Sequence, residues 1–175
     1  MERSADPTDA EQAFLQWSRA KGKGGEGYAE IQASRPDTLA AALLDSPSSL
    51  AAWLVEKFQG WSDCGGDVER RFSKDDLLTT IMIYWATGTI GSSFRPYFDR
   101  PHTLPLPVLT VPAGITVGVG DPGMPRSLAE RTYTDIRLWH DLPADGHFVA
   151  NEEPGLVADD VRDFFRPLRH QEQER

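Results

Sequence analysis

Cysteine, long apolar runs and excess positive charge are all scarce in this sequence. Cys64 is the single cysteine among 175 residues, so an internal disulfide is impossible and a cysteine-based zinc site is excluded. A net charge of −9 argues against nucleic acid or an anionic membrane as a partner. The apolar runs are too short to span a bilayer, and the acidic N-terminus does not resemble a signal peptide. We therefore expect a cytoplasmic protein that needs no metal and no cofactor.

The composition is that of a globular chain. Hydrophobic residues make up 39% of it and charged residues 26%, and the length suffices for a proper core. Apolar residues recur at helical spacing in the first half, where the sequence predicts a helix capped by Asp6 that dissolves in the glycine-rich segment 21–27. Further helices are predicted over 37–44, over 48–61 and from Ser73 onward.

The character changes at Pro105, where β-branched residues take over. Strand-like runs occupy 108–111, 115–117 and 136–139, with helical patterns over 127–133 and 154–166. Strand, helix, strand and helix in this order are typical of a parallel α/β unit. The sequence thus predicts a mostly helical region over 1–104, a short parallel βαβα unit over 105–169 and a disordered tail over 170–175.

His147 lies in a short loop between a predicted strand and a predicted helix. Rigid elements hold such a residue while a cleft keeps it reachable, and its near-neutral pKa suits a general base. A base histidine needs an acid that fixes its tautomer. Asp121 follows the predicted strand 115–117, and the order acid then histidine is that of the α/β-hydrolases. The alternative is a loop histidine with no role.

Three separated strings in the chain carry a family resemblance. They are GYAEIQASRPDT at 27–38, YWATGTIGSSFRPY at 84–97 and GHFVANEEP at 146–154. Each resembles a segment of the microsomal-type epoxide hydrolases, which are α/β-hydrolases, and they occur in the family's order. The resemblance extends from about Ser4 to Leu168, nearly the whole chain.

The resemblance implies a fold and a set of site residues. It makes 1–104 a helical lid and 105–169 the last strands and helices of the hydrolase core. It makes His147 and Asp121 the base and its acid, and Tyr28 and Tyr97 the lid tyrosines that hold the epoxide oxygen. A phenol can donate to the alkoxide that forms as an epoxide opens. On periodicity alone, both tyrosines would be packing residues.

Two parts of the family's machinery are missing from the sequence. The implied mechanism needs an aspartate nucleophile on an elbow and an H-G-x-P oxyanion loop, and neither motif occurs here. We therefore expect a partial α/β-hydrolase fold that is inactive alone. We also expect an open strand edge and a tendency to associate. The expected partners are a small apolar epoxide and either a separate N-terminal half or further copies of the chain.

Several other patterns in the sequence suggest alternative sites but fit them less well. The loop at 63–67, which ends in Asp67, superficially suggests a nucleophile elbow, but no apolar strand enters it and Glu69 occupies a position that must be small. Ser92 and Ser93 do not stand in G-x-S-x-G. The G-x-G-x-x-G pattern at 118–123 contains a proline and lies at the wrong end of the α/β unit for a dinucleotide site. His140 and Asp141 fit strand-end residues better than a second acid–base pair. The alternative functions are haloalkane dehalogenation or ester cleavage by a related hydrolase, and a non-catalytic binding or association module derived from the lid.

Overall fold

The computed structural model describes residues 6–25, 27–99, 107–118, 123–142 and 146–171. These residues divide into two compact units. The sheet unit contains the described residues up to Ala20 and those from 107 onward. The helical unit contains the described residues from Lys21 to Asp99.

The helical unit contains the predicted helices and a further helix over 27–34 that the sequence did not predict. Helix α1 (Asp9–Gly25) begins in the sheet unit and has its last residues here. The further elements are α2 (Gly27–Ser34), α3 (Pro36–Asp45), α4 (Pro47–Trp61), a 3-10 helix (Val68–Arg70), α5 (Lys74–Thr87), α6 (Ile90–Ser93) and α7 (Arg95–Phe98). In the described ranges no single helix has the length and apolar character of a membrane span. Helices α3 and α4 reach that level only when combined, and they are bent by 118°.

Local sequence signals set the ends of these helices. Ser73 and Asp76 form a capping box at the start of α5, where the sequence predicts a helix to begin: each side chain accepts from the other residue's backbone N–H. Gly88 ends α5 in the left-handed conformation, with φ at 63°, which glycine adopts without a steric penalty. Ser46 caps α4 by accepting from the N–H of Ser49, directly before Pro47 at the first helical position.

An apolar cluster joins four helices of the helical unit. Its buried members come from α3, α4, α5 and the segment around α6: Ala40, Leu43, Leu50, Ile81, Ile90 and Phe94. Leu50 is fully buried, and Ile90 and Phe94 are nearly so. Burial of this side-chain surface is the main favourable contribution to the stability of the unit.

The sheet unit contains the predicted parallel βαβα arrangement. Its elements are β1 (Leu109–Gly118), α8 (Arg126–Glu130), β2 (Tyr133–Leu142), α9 (Val149–Glu152) and α10 (Pro154–Gln171). Strands β1 and β2 pair in parallel, from Leu109 opposite Tyr133 to Gly118 opposite Leu142. The register shifts near Pro112, which has no N–H to donate to the ladder. The predicted element pattern is confirmed: a mostly helical region is followed by a short parallel βαβα unit.

Helix α10 packs on the sheet through one close approach and one polar cluster. A Cβ on Gly114 would lie 2.9 Å from the ring of Phe164, so the missing side chain admits that ring to β1. Asp160 of α10 accepts from the hydroxyl of Thr116 at 2.7 Å and lies 2.8 Å from Nδ1 of His140. His140 therefore joins β2 to α10 and does not pair with Asp141.

Several helix boundaries in the structure differ from those that the sequence predicts. Thr8, not Asp6, caps α1, because Thr8 and Glu11 exchange hydrogen bonds between side chain and backbone. Helix α1 continues to Gly25, since glycine weakens a helix but keeps its backbone donor. The helix predicted over 127–133 stops at Glu130, and Tyr133 already pairs with β1.

The division of the chain also differs in detail from the predicted segments 1–104, 105–169 and 170–175. The described residues up to Ala20 group with the C-terminal part of the chain. Arg131 of that part donates two hydrogen bonds to the carboxylate of Glu11, at 2.6 and 3.1 Å, which attaches the start of α1 to the sheet unit. Helix α10 extends to Gln171, two residues into the predicted tail, and 172–175 lie outside the described residues.

Candidate active site

His147 lies in the turn that leads from β2 toward α9. Gly146 before it is buried, whereas His147 itself is exposed. The imidazole meets the ring of Phe148 edge-on, with ring centroids 5.2 Å apart. The predicted location between a strand and a helix matches the structure, with the short helix α9 inserted ahead of the predicted helix. An exposed imidazole on an anchored turn has the access that a general base needs.

A buried carboxylate fixes this turn from within. Glu152 is only 7% exposed, and its Oε1 accepts from the backbone N–H of Phe148 at 3.0 Å. A Cβ on Gly146 would overlap both carboxylate oxygens of Glu152, so only glycine leaves room for them. Glu152 thus holds the residues on both sides of His147. The sequence interpretation gave Glu152 no role, although it stands within the string that carries the family resemblance.

Asp121 lies outside the described residues. Strand β1 ends at Gly118, three positions earlier, so Asp121 does follow a strand in the chain. Its pairing with His147 stays a prediction.

Tyr28 and Tyr97 come together within the helical unit. Tyr28 is the second residue of α2 and Tyr97 belongs to α7, and these two helices pack against each other. Their ring centroids are 5.9 Å apart, with the rings nearly perpendicular at 79°. This edge-to-face contact is a favourable arrangement for aromatic pairs. Two phenols from distant positions in the chain are therefore neighbours, as one oxygen held by both would require.

Indole rings and a lysine surround the Tyr28 side of this pair. The Trp61 ring lies 5.0 Å from that of Tyr28, between centroids. The amine of Lys57 is near the rings of Tyr28, Trp53 and Trp61. Tyr28 therefore sits in a largely aromatic environment that contains a cation, whereas Tyr97 is 36% exposed. Helical periodicity could have grouped Trp53, Lys57 and Trp61 on one face of α4, but it carries no information about Tyr28.

The remaining candidates take no part in either group. Asp67 in the loop after Cys64 caps the 3-10 helix by accepting from the N–H of Glu69, and the loop follows a helix, not a strand. The hydroxyls of Ser92 and Ser93 donate to backbone carbonyls one turn earlier. Among the described residues, no group of three or more histidine, cysteine or acidic side chains could hold a metal ion.

Sequence comparison identifies relatives over most of the chain. No protein-family profile matches it. It is 39% identical over 168 residues to a Stigmatella aurantiaca protein named as an epoxide hydrolase, covering 95% of this chain and 38% of the relative. It is 37% identical over 158 residues to epoxide hydrolase 1 of Sus scrofa, covering 83% of this chain and 35% of the relative.

Solved structures give the same family. The juvenile hormone epoxide hydrolase of the silkworm Bombyx mori matches with a TM-score of 0.77 at 29% identity, covering 86% of this chain and 42% of that one. The epoxide hydrolase of Aspergillus niger matches with a TM-score of 0.72 at 24% identity, covering 95% and 44%, which supports the fold alone.

These similarities extend over most of this chain but over a minority of each relative. The chain spans little more than a third of the length of the curated relatives. That coverage is consistent with the C-terminal segment that the motifs predict. The chain belongs to the epoxide hydrolase family of α/β-hydrolases and represents a part of the fold of its relatives.

Proposed function

We propose that this chain supplies the oxygen-binding tyrosines and the water-activating histidine of an epoxide hydrolase. The reaction adds water to a small apolar epoxide and yields a vicinal diol. The observation that carries the proposal is the contact between Tyr28 and Tyr97, whose rings lie 5.9 Å apart although the residues are far apart in sequence. An epoxide oxygen held by two phenols needs this proximity.

The first step opens the ring. An aspartate carboxylate attacks one epoxide carbon, the bond from that carbon to the oxygen breaks, and an ester forms. The oxygen leaves as an alkoxide and takes a proton from a phenol of Tyr28 or Tyr97. A second polypeptide segment must supply the nucleophile, since the sequence contains no suitable elbow.

The second step hydrolyses the ester. His147 removes a proton from water, and the hydroxide attacks the ester carbonyl. The ester bond breaks, the carboxylate returns to its initial state and the diol leaves. The two protons of the water restore the phenol and complete the second hydroxyl group of the diol. We assign to Asp121 the stabilisation of the imidazolium formed in this step.

The test supplies the missing segment in trans. The purified chain is incubated with styrene oxide alone, and then together with the part of the Stigmatella aurantiaca relative that it does not match. We expect diol only from the mixture. His147→Gln should stop turnover while the ester accumulates, detectable by mass spectrometry as one substrate attached to the added segment. Tyr28→Phe and Tyr97→Phe should each slow ester formation by roughly tenfold or more, with Tyr133→Phe as the matched control.

Two outcomes would overturn parts of this proposal. Diol from the chain alone would mean that it contains a nucleophile we have not identified. A mixture that co-purifies as a complex yet yields neither ester nor diol would favour a non-catalytic association module instead.

A further inference from the structure

The amine of Lys57 lies among aromatic rings beside the tyrosine pair. Its Nζ is 4.9 Å from the ring centroid of Trp53, 5.2 Å from that of Tyr28 and 5.8 Å from that of Trp61. The side chain is only 17% exposed, and the amine forms an ion pair with the more exposed Glu56. A lysine amine is usually well hydrated, so a location this enclosed requires compensating contacts.

Helical geometry accounts for this position. Trp53, Lys57 and Trp61 follow one another at intervals of four residues in α4, so they share one face of the helix. Tyr28 of α2 lies against that face, with its ring 5.0 Å from that of Trp61. The two indoles flank the lysine along α4, and the phenol of Tyr28 meets it from another helix.

We propose that Lys57 is a positioning residue for the phenol of Tyr28, acting by stabilising the negative charge that this phenol acquires when it gives its proton to the opened epoxide. The proposal rests on the proposed function in assigning that proton transfer to Tyr28. A cation over an aromatic ring is attracted to the neutral ring and more strongly to the anionic one. This difference lowers the energy of the proton-transfer step relative to the resting state.

The helices α2, α3 and α7 also carry charged groups. Glu30 stands on α2 itself, and α3 carries Asp37 and Asp45. Arg95 of α7 forms an ion pair at 2.8 Å with Asp99, the residue directly after this helix, so their charges largely cancel at a distance. Glu56 reduces the net effect of Lys57 but remains 66% exposed, where water screens its charge.

The experiment measures ionisation of the phenol without requiring turnover. Phenolate absorbance of the chain is followed through alkaline pH, and the contribution of Tyr28 is obtained by subtracting the titration of Tyr28→Phe. Lys57→Met should raise the Tyr28 midpoint by up to about half a pH unit, because it removes a nearby ammonium, and a lysine amine ordinarily keeps part of its charge in the pH range where a phenol ionises. Lys57→Arg should keep the midpoint near that of the parent chain. Lys74→Met removes a lysine from α5 that is 73% exposed, and it should leave the midpoint unchanged.

A second neutral variant distinguishes the loss of the charge from the loss of the fold. If Lys57→Met loses its near-ultraviolet circular dichroism, Lys57→Gln takes its place in the same titration. Equal midpoints for the folded neutral variant and for Lys74→Met would overturn the proposal. In the two-component mixture the neutral variants should also slow ester formation severalfold, with recovery in Lys57→Arg. A mixture that co-purifies as a complex yet is inactive even with the parent chain would refute the proposed function, while the titration would still decide the coupling of Lys57 to Tyr28.

Discussion

Different interactions stabilise the two units of the chain. In the helical unit, six buried apolar side chains form one continuous cluster. In the described part of the sheet unit, the buried apolar side chains include Ala129 and Leu142, and two carboxylates, Glu11 and Glu152, are buried with them. Apolar burial is non-directional, whereas a buried carboxylate is tolerated only with well-placed donors. The stability of the helical unit therefore comes mainly from apolar packing, whereas that of the sheet unit also requires specific polar contacts.

The described part of the sheet unit also has an open strand edge and an exposed apolar side chain. Within the described ranges, β1 has β2 as its one strand neighbour, and Val111 on β1 is 63% exposed. An open strand edge beside exposed apolar side chains favours association with another chain. The tendency to associate stays a prediction, and its physical basis lies in this unit.

The largest effect is expected from the helical core. Leu50 is fully buried within the apolar cluster, so Leu50→Ala should lower the free energy of unfolding by about 3 kcal/mol. Val111→Ala also removes apolar side-chain atoms, but from an exposed position, and should change it by less than about 0.5 kcal/mol. Urea titration followed by tryptophan fluorescence measures both. Similar losses in the two variants would show that the contrast between the units is false.

A smaller effect is expected at the histidine turn. Gly146→Ala should cost about 2 kcal/mol, because the new Cβ overlaps the buried carboxylate of Glu152. In a Glu152→Ala background the same change should cost at least about 1 kcal/mol less, since the carboxylate is gone. Gly155→Ala is the matched control: its Cβ would meet nothing within 4 Å. Additive losses from the two substitutions would mean that Glu152 does not constrain the turn.

Features that depend on neighbouring residues in the chain could be predicted from sequence. The capping box of Ser73 and Asp76, the glycine end of α5 at Gly88 and the parallel βαβ order all follow from short patterns. Tertiary contacts could not be predicted in this way. The attachment of α1 to the sheet unit depends on Arg131, which is 120 positions from Glu11 in the chain and donates to its carboxylate.

The candidate site divides in the same way. His147 could be singled out from its location between a strand and a helix, whereas Tyr28 and Tyr97 acquired roles only through the family resemblance. Their contact arises from the packing of α2 on α7, which no local pattern encodes. Lys57 and Glu152 were missed because their relevance depends on the residues that they meet after folding.

The last prediction concerns the ion pair that joins the start of α1 to the sheet unit. Hydrogen bonds from Arg131, then from the N–H of Thr8, lower the pKa of Glu11 from its ordinary 4.5 to about 2. We expect a smaller effect than at the core or the turn, because Arg131 keeps 33% of its side-chain surface in solvent, which screens the pair.

The direction of the pH dependence follows from linkage. A carboxyl whose pKa is lower in the folded state stabilises the fold above the unfolded pKa, near 4.5, and this contribution is lost as the pH falls toward about 2. Glu11→Gln lacks the titrating group. The difference in unfolding free energy between the parent chain and Glu11→Gln should therefore be constant above about pH 5 and should shrink below it. Urea titrations at matched ionic strength measure this difference. A difference that stays constant down to pH 2 would show that burial of the Glu11 side chain, not its charge, anchors α1 to the sheet unit.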